Sequence, residues 1–312
     1  MLKERIITAL ILVSLVVSAT IFLSSLWFGF ILSLFILVSL WEWRNLFYIR
    51  KKYKIYSPYF ILMSLFCLGW VWWEYLDSGL SIQLISMIKP SEDFGLAIPF
   101  VMGFWLAAPL IIFNYQKQLY LRKPSWPWYF LTIGCEDEDK FGDEGTWWSL
   151  LLGNILLWGM GIILWKLQTN PYWLLLLFFI VWSADIAAYF SGKKFGKHKL
   201  AWRVSPGKTW EGVIGGLIAG IVTTFLALYF FRGFLGIDIF QTSLIKLILL
   251  SSITVIFSIV GDLFISIIKR NAGRKDTGTL FPGHGGLLDR IDSLMSGSVA
   301  YILCGSFLGL FY

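Results

Sequence analysis

The sequence predicts an all-α integral membrane protein with about nine transmembrane helices and a cytoplasmic N-terminus. Of the 312 residues, 57% are hydrophobic and 14% are charged, whereas a soluble domain has about 25% charged residues. Several apolar stretches reach about 20 residues, the length of a helix that spans the hydrocarbon core. Basic residues are unevenly distributed between alternate connections. A soluble chain of this length could not bury so much apolar surface.

The first apolar stretch, residues 6–41, contains no charged residue. Because it is too long for one straight span, we divide it into helices over about 6–24 and 26–43, with Ser24 and Ser25 at the break. The basic residues ahead of this stretch imitate a signal peptide, but the apolar run is too long and continues into a second one. We therefore predict a retained membrane span.

Seven further stretches have the length and composition of membrane spans. They cover about 59–76, 94–114, 146–165, 172–190, 212–231, 246–266 and 297–312. With the N-terminus inside, 22 Lys and Arg residues fall on the cytoplasmic side and 4 fall outside. This asymmetry follows the positive-inside rule, and it accounts for most of the net charge of +7 without a nucleic-acid partner.

The chain divides into an N-terminal transmembrane region, 1–140, and a catalytic transmembrane region, 141–312. The catalytic region contains two cytoplasmic loops, 191–211 and 267–296, whose composition differs from that of simple connectors. The three cysteines are far apart and form no C-x-x-C motif, which predicts no disulfide framework.

A candidate phosphate site begins in the first of these loops. Asp185 interrupts an apolar helix just ahead of it, and such a carboxylate is expected to face protein or a wet cavity. In the loop, Ser205 and Thr209 offer hydroxyl groups, Gly207 permits close backbone approach to an anion, and Lys208 supplies positive charge. The spacing is not that of a Walker A motif. The alternative is a simple helix start, with Thr209 at the cap.

A second segment, from Gly261 to Ser293, runs from the end of the preceding span into the second loop and contains the remaining candidate residues. Asp262, Ser266 and Lys269 share one helical face, and Asp289 and Asp292 lie three residues apart. The three carboxylates are expected to converge at the membrane surface, where hard oxygen ligands beside basic residues suit Mg²⁺ bound to phosphates. The alternative is a set of salt bridges between these aspartates and the basic residues Lys269 and Arg270.

A glycine-rich stretch, 283–286, lies between these groups and permits close approach to a ligand. His284 within it is not expected to bind zinc, because no cysteine and no second histidine of the loop supports such a site.

The second loop resembles the signature of phosphatidate cytidylyltransferases, also called CDP-diacylglycerol synthases. The first loop and the helix ahead of it are similar to the same family in Asp185, in Ala188-Tyr189, in Gly192-Lys193, in 195–200 and in 205–212, so the resemblance covers roughly 180–295. The matching residues of the second loop read Ser266-x-Ile268-Lys269-Arg270-x4-Lys275-Asp276-x-Gly278-x2-Phe281-Pro282-x-His284-Gly285-Gly286-Leu287-x-Asp289-Arg290-Ile291-Asp292.

The resemblance implies that CTP and phosphatidate react to give CDP-diacylglycerol and pyrophosphate. It implies Mg²⁺ bound by Asp262 and Asp289 with Asp292 nearby, and a second, monovalent ion such as K⁺. Lys208 would hold the leaving pyrophosphate, and the lipid phosphate would bind the remaining catalytic residues, Lys269, Arg270 and Arg290. The expected substrate-binding residues are Ser205, Thr209, Lys275, His284, Gly285, Gly286 and Asp185.

The expected partners are the two substrates and membrane lipid, with no nucleic acid, and the chain is expected to form a homodimer in the inner membrane with its active site facing the cytoplasm. Two alternatives are other CTP-dependent lipid enzymes, an ether-lipid cytidylyltransferase or a polyprenol kinase. A further alternative is an ion-coupled transporter. Transporter charges usually lie near the bilayer midplane, whereas these carboxylates lie near the ends of predicted spans.

Overall fold

The structure is a computed structural model. It describes residues 2–47, 61–62, 64–65, 68–69, 72, 97–118, 144–235, 243–280 and 285–311.

Long helices make up most of the described chain, with one short β-hairpin between two of them. The elements are α1 (Leu2–Phe22), α2 (Ser25–Phe47), α3 (Ala97–Gln118), α4 (Glu144–Leu167), α5 (Pro171–Phe195), β1 (Lys199–Ala201), β2 (Ser205–Thr209), α6 (Trp210–Leu235), α7 (Leu244–Asn271) and α8 (Leu288–Phe307).

Five helical segments of the described chain are long and apolar enough to cross a membrane. They are Ser25–Leu46, Ser149–Leu167, Pro171–Phe195, Trp210–Phe231 and Leu244–Asn271. Together with the composition, they identify an all-α membrane protein. The total of nine spans and the orientation stay predictions, and most of the span expected at 59–76 lies outside the described residues.

The predicted break in the first apolar stretch is confirmed. Helix α1 ends at Phe22 and α2 begins at Ser25. The Trp165 indole N–H donates to the backbone oxygen of Ser25 at 2.8 Å, and the Gln168 amide donates to the backbone oxygen of Leu23 at 3.0 Å. These side chains therefore satisfy backbone groups that the break leaves outside the helical ladder.

The described residues form two compact units. The first unit consists of 1–32, 163–263 and 292–311, and the second consists of 33–162 and 264–291. Each contains one part of the predicted site. The predicted division at residue 140 concerns function and stays a prediction.

In the first unit, helices α5 and α6 pack closely through small residues. A Cβ at Gly212 would lie 2.9 Å from the Ala188 carbonyl oxygen, and one at Gly216 would lie 3.1 Å from that of Ala184. Small residues let the backbones of membrane helices approach in this way. The opposite face of α6 presents a row of apolar side chains that are 50–59% exposed, which suits contact with lipid. The row is Ile214, Ile218, Val222 and Leu226.

Helices α7 and α8 form an antiparallel pair within the same unit. At one end Lys246 Nζ donates to the Leu308 carbonyl oxygen at 2.7 Å, and toward the other end the Ser296 hydroxyl donates to the Phe257 carbonyl oxygen. Gly261 lies against the backbone of Asp292, since a Cβ there would overlap the Asp292 carbonyl oxygen. This register places Asp262 and Asp292 at the same level of the pair.

The second unit has an aromatic core. Trp105 and Phe264 are nearly fully buried and meet edge to face, with ring centroids 5.5 Å apart. Trp43 is also fully buried, and its indole N–H donates to the Ser149 carbonyl oxygen at 3.0 Å. Pairing this N–H removes the cost of burying a polar group.

Candidate active site

An ion pair in the first unit joins the first of the predicted loops to helix α7. Lys208 Nζ lies 2.7 Å from Asp262 Oδ2, and the side chains are 24% and 27% exposed. Partial exposure leaves both charges within reach of water and of a charged ligand. The pair therefore combines a cation suited to phosphate with a carboxylate suited to a metal.

The β-hairpin positions Lys208. Strand β2 pairs antiparallel with β1, with Ala201 opposite Ser205 and Lys199 opposite Thr209. Neighbouring side chains of a strand point to opposite faces, and accordingly Thr209 is 3% exposed while Lys208 is partly exposed. The loop expected to hold phosphate is thus largely a β-strand.

Thr209 has a capping role in this structure. Helix α6 begins at Trp210, and the Thr209 hydroxyl accepts a hydrogen bond from the Gly212 N–H at 3.1 Å. This is the geometry of an N-cap residue. The alternative of a simple helix start therefore applies to Thr209, while Lys208 has a different partner in Asp262.

The second unit contains a network centred on the Asp289 carboxylate, which is 6% exposed. Oδ1 accepts from Lys269 Nζ at 2.8 Å, and Oδ2 accepts from the Thr277 N–H at 2.8 Å, the Thr277 hydroxyl at 3.0 Å and the Gly286 N–H at 3.0 Å. Burial opposes ionisation of this carboxyl, but the hydrogen bond and charge of Lys269 and the two backbone donors outweigh it. They hold the pKa of Asp289 below its ordinary value, so the group stays ionised at neutral pH.

The end of helix α7 positions Lys269. The helix ends at Asn271, after which Gly273 adopts a left-handed conformation with φ of 65°. This reverses the chain, and the Arg274 N–H donates to the Lys269 carbonyl oxygen at 2.9 Å. Lys269 and Arg270 lie in the last turn, where positive charge complements the helix dipole.

Two of the signature glycines, Gly285 and Gly286, are required by the Asp289 network. Gly285 has φ of 83°, and a Cβ there would lie 2.7 Å from Asp289 Oδ2. A Cβ at Gly286 would overlap the Thr277 hydroxyl. The glycines therefore let the backbone lie directly against a carboxylate and donate to it.

The two principal aspartates differ as candidate ligands for Mg²⁺, which prefers carboxylate oxygens. Asp262 is partly exposed and pairs with a lysine, so its donor chemistry fits the ion. Asp289 is buried and lies within hydrogen-bond distance of four donor groups, about the capacity of a carboxylate, so metal binding there requires Lys269 to move. Among the described residues, no three His, Cys, Asp or Glu side chains form a metal-binding group.

The remaining predicted site residues differ in burial. Asp292 is buried, and its carboxylate accepts from the Ser293 N–H at 2.8 Å. Ser205 lies half-buried in β2. His284 lies outside the described residues. The exposed members of the predicted set are Asp185, Arg270, Lys275 and Arg290.

Glu42 is a buried carboxylate that the sequence analysis did not assign. It lies on α2, is 7% exposed, and accepts hydrogen bonds from the backbone of Leu287 and Leu288 within the second unit. The available signal was a lone acidic residue at the end of an apolar stretch, which is costly unless it is paired.

The family relationship agrees with these features. The profile of the cytidylyltransferase family matches residues 3–307. The phosphatidate cytidylyltransferase of Haemophilus influenzae is 33% identical over 307 residues, covering 94% of this chain and 95% of the relative. That of Pseudomonas aeruginosa is 33% identical over 300 residues, covering 94% and 93%. That of Brucella suis is 46% identical over 132 residues, covering 42% and 45%. The chain belongs to the cytidylyltransferase family.

Proposed function

We propose that this protein transfers the cytidylyl group of CTP to phosphatidate, giving CDP-diacylglycerol and pyrophosphate. The observation that carries the proposal is the Lys208–Asp262 pair, in which a phosphate-binding cation meets a partly exposed carboxylate. The relatives named phosphatidate cytidylyltransferase support the choice of substrate.

The reaction needs alignment and charge neutralisation rather than a general base. The nucleophile is a lipid phosphate oxygen that is already ionised at pH 7. It forms a bond to the α-phosphorus of CTP while the bond from that phosphorus to the oxygen that bridges it to the β-phosphorus breaks, and this oxygen leaves with pyrophosphate. The protein supplies fixed charge where negative charge develops on the leaving group.

Lys208 is the residue we assign to the leaving pyrophosphate, since its ammonium group is partly exposed and held in place by a strand. Asp262 would hold Mg²⁺, which supplies charge neutralisation of the triphosphate when bound. In that arrangement Lys208 would leave Asp262 to contact the phosphate, and Asp262 would leave Lys208 to contact the ion. Asp289 and Asp292 as further metal ligands, and K⁺ as a second ion, stay predictions from the family resemblance.

Arg270 and Arg290 are the residues we assign to the lipid phosphate. Both are exposed, and a guanidinium group presents a planar set of donors that matches a phosphate. Lys269 is less suited in this state, because its charge is matched by Asp289. Substrate contacts by Ser205, Thr209, Lys275, His284, Gly285, Gly286 and Asp185 stay predictions.

The finer membrane placement is also part of the proposal. We place nine spans in the inner membrane, the N-terminus and active site on the cytoplasmic side, and a homodimer without nucleic acid as the working form. The charge distribution of the sequence supports the orientation, because 22 of 26 basic residues then lie inside.

Purified protein supplied with phosphatidate, Mg²⁺ and CTP labelled at either the α- or the γ-phosphorus tests the reaction. We expect α-label to enter the lipid product and γ-label to leave as pyrophosphate, because the bond breaks between the α-phosphorus and the bridging oxygen. A polyprenol kinase gives the reverse pattern, with γ-label on a polyprenol. Absence of α-label from lipid when phosphatidate is present would refute the proposal.

The orientation is tested by two single cysteines in the first unit. Gly207 and Thr169 are both exposed, and the proposed topology puts them on opposite sides of the membrane. In intact cells we expect an impermeant external thiol reagent to label Thr169→Cys and to spare Gly207→Cys, with both labelled after permeabilisation. Labelling of Gly207→Cys alone in intact cells would reverse the topology.

A further inference from the structure

A carboxylate from the N-terminal part of the chain lies against described residues of the second loop. Glu42 belongs to α2, and its side chain is buried among groups of Thr277, Leu287 and Leu288. Oε1 accepts from the Leu287 N–H at 3.0 Å. Oε2 accepts from the Leu288 N–H at 2.8 Å and from the Thr277 hydroxyl at 3.0 Å. One side chain therefore binds both Thr277 and the backbone of Leu287 and Leu288.

Two of these donors belong to the start of helix α8. Leu288 is its first residue, and the N–H groups of a first turn have no partner within the helix. A residue just ahead of the helix commonly supplies the acceptor, but here a distant helix supplies it. A negative charge at this end also complements the helix dipole. Glu42 thereby acts as a capping acceptor at the start of α8.

Two glycines of the loop permit the close approach of the Glu42 carboxylate. A Cβ at Gly278 would lie 2.5 Å from Glu42 Oε1, and a Cβ at Gly286 would overlap the same carboxylate. Any other residue at either position would displace Glu42 or the loop. The signature glycines thus serve Glu42 as well as Asp289.

Glu42 is linked to Asp289 through one shared partner. The Thr277 hydroxyl lies 3.0 Å from Glu42 Oε2 and 3.0 Å from Asp289 Oδ2, and its single hydrogen is shared between these two acceptors. Asp289 in turn pairs with Lys269 and directly precedes Arg290. A shift of Thr277 or of residues 285–288 would therefore displace the charged groups that the proposed function uses.

We propose that Glu42 is a positioning residue of the cytidylyl transfer. It holds Thr277 and the start of α8 so that Asp289, Lys269 and Arg290 keep the geometry of the reaction. This inference rests on the proposed function, and it extends the active site to a residue of the first 140, for which the sequence analysis found no role.

Glu42→Gln is the sharpest test, because glutamine keeps the size of the side chain but turns one acceptor into a donor. That NH₂ group would face an N–H or hydroxyl donor of the loop, leaving a buried donor unsatisfied. We expect kcat to fall at least about tenfold while KM for CTP changes less than about threefold, since the altered groups act in the transition state.

The matched control is Ser39→Ala, on the same helix. Ser39 is also buried, but its hydroxyl donates to the Phe35 carbonyl oxygen one turn earlier, so its loss affects α2 locally. We expect Ser39→Ala to keep kcat within about twofold. An equal loss in both variants would mean that any polar change in α2 impairs the enzyme, and it would overturn the specific role of Glu42.

Hydrogen exchange makes the inference independent of the reaction itself. In Glu42→Gln the amides of residues 285–291 should exchange faster, whereas those of 297–307 should keep their wild-type rates. Unchanged exchange at 285–291, or full kcat, would overturn the proposal. If wild-type protein forms no CDP-diacylglycerol, the proposed function fails whatever the exchange shows.

Thr277→Val serves if Glu42→Gln does not yield folded protein by size exclusion. It removes the hydroxyl that joins the two carboxylates and leaves both carboxylates in place. A folded Thr277→Val protein with reduced kcat and faster exchange at 285–291 supports the positioning role, and one with wild-type values in both measurements overturns it.

Discussion

Replacing Asp262 with asparagine should reduce kcat at least about 100-fold at ordinary Mg²⁺, which corresponds to about 2.7 kcal/mol of transition-state stabilisation. The change removes a carboxylate charge but keeps the shape of the side chain. It also breaks the pair with Lys208, yet a pair that is about a quarter exposed contributes at most about 1 kcal/mol, or about fivefold. A loss of kcat greater than about fivefold is therefore expected to come from loss of the carboxylate that holds the metal. Steady-state assays across a Mg²⁺ titration give the value.

Glu211→Gln is the matched control for this experiment. Glu211 lies in the same unit and pairs with His198 at 2.7 Å, so the variant also removes a paired carboxylate near the hairpin. We expect its kcat to stay within about twofold of wild type. Near-wild-type kcat in Asp262→Asn itself, with folded protein verified by size exclusion, would end the metal assignment.

Lys208→Gln should lower kcat at least about tenfold, equivalent to about 1.4 kcal/mol, and should raise KM for CTP by a smaller factor. The ammonium group is assigned to charge that develops on departing pyrophosphate, and an interaction made mainly in the transition state appears in kcat. Lys208→Arg should also lose activity, because guanidinium differs from ammonium in reach and shape.

The competing interpretation is that Lys208 only contributes to topology. Lys194→Gln separates the two, because Lys194 is an exposed lysine of the same predicted cytoplasmic loop and its loss changes the net charge equally. A topology signal predicts the same small effect in both variants. Full kcat in Lys208→Gln would mean that Lys208 contributes only to topology, as one of the positive-inside charges.

Some features of this protein were predictable because they depend on neighbours along the chain. The break between α1 and α2 follows from an apolar run that is too long for one span, and the start of α6 after Thr209 follows from a capping residue ahead of an apolar stretch. The membrane character follows from composition alone.

The β-hairpin was not predictable in the same way. Strands β1 and β2 are only three and five residues long, and their side chains show no clear alternation of apolar and polar types. Their pairing depends on the close approach of α5 and α6, which brings the ends of the loop together. The candidate phosphate segment therefore became a strand that presents Lys208 and buries Thr209.

The sequence alone predicts which residues carry the chemistry, since Asp262, Lys269, Asp289 and Lys208 are recognised by type, spacing and their place at the ends of apolar helices. Which of them pair depends on the tertiary structure. Asp262 pairs with Lys208 and Asp289 with Lys269, although Asp262 and Lys269 share a face of one helix. The tertiary structure also places Glu42 against the backbone N–H groups of Leu287 and Leu288. Helix formation follows from local composition, whereas the partner of a charged side chain depends on packing between segments far apart in the chain.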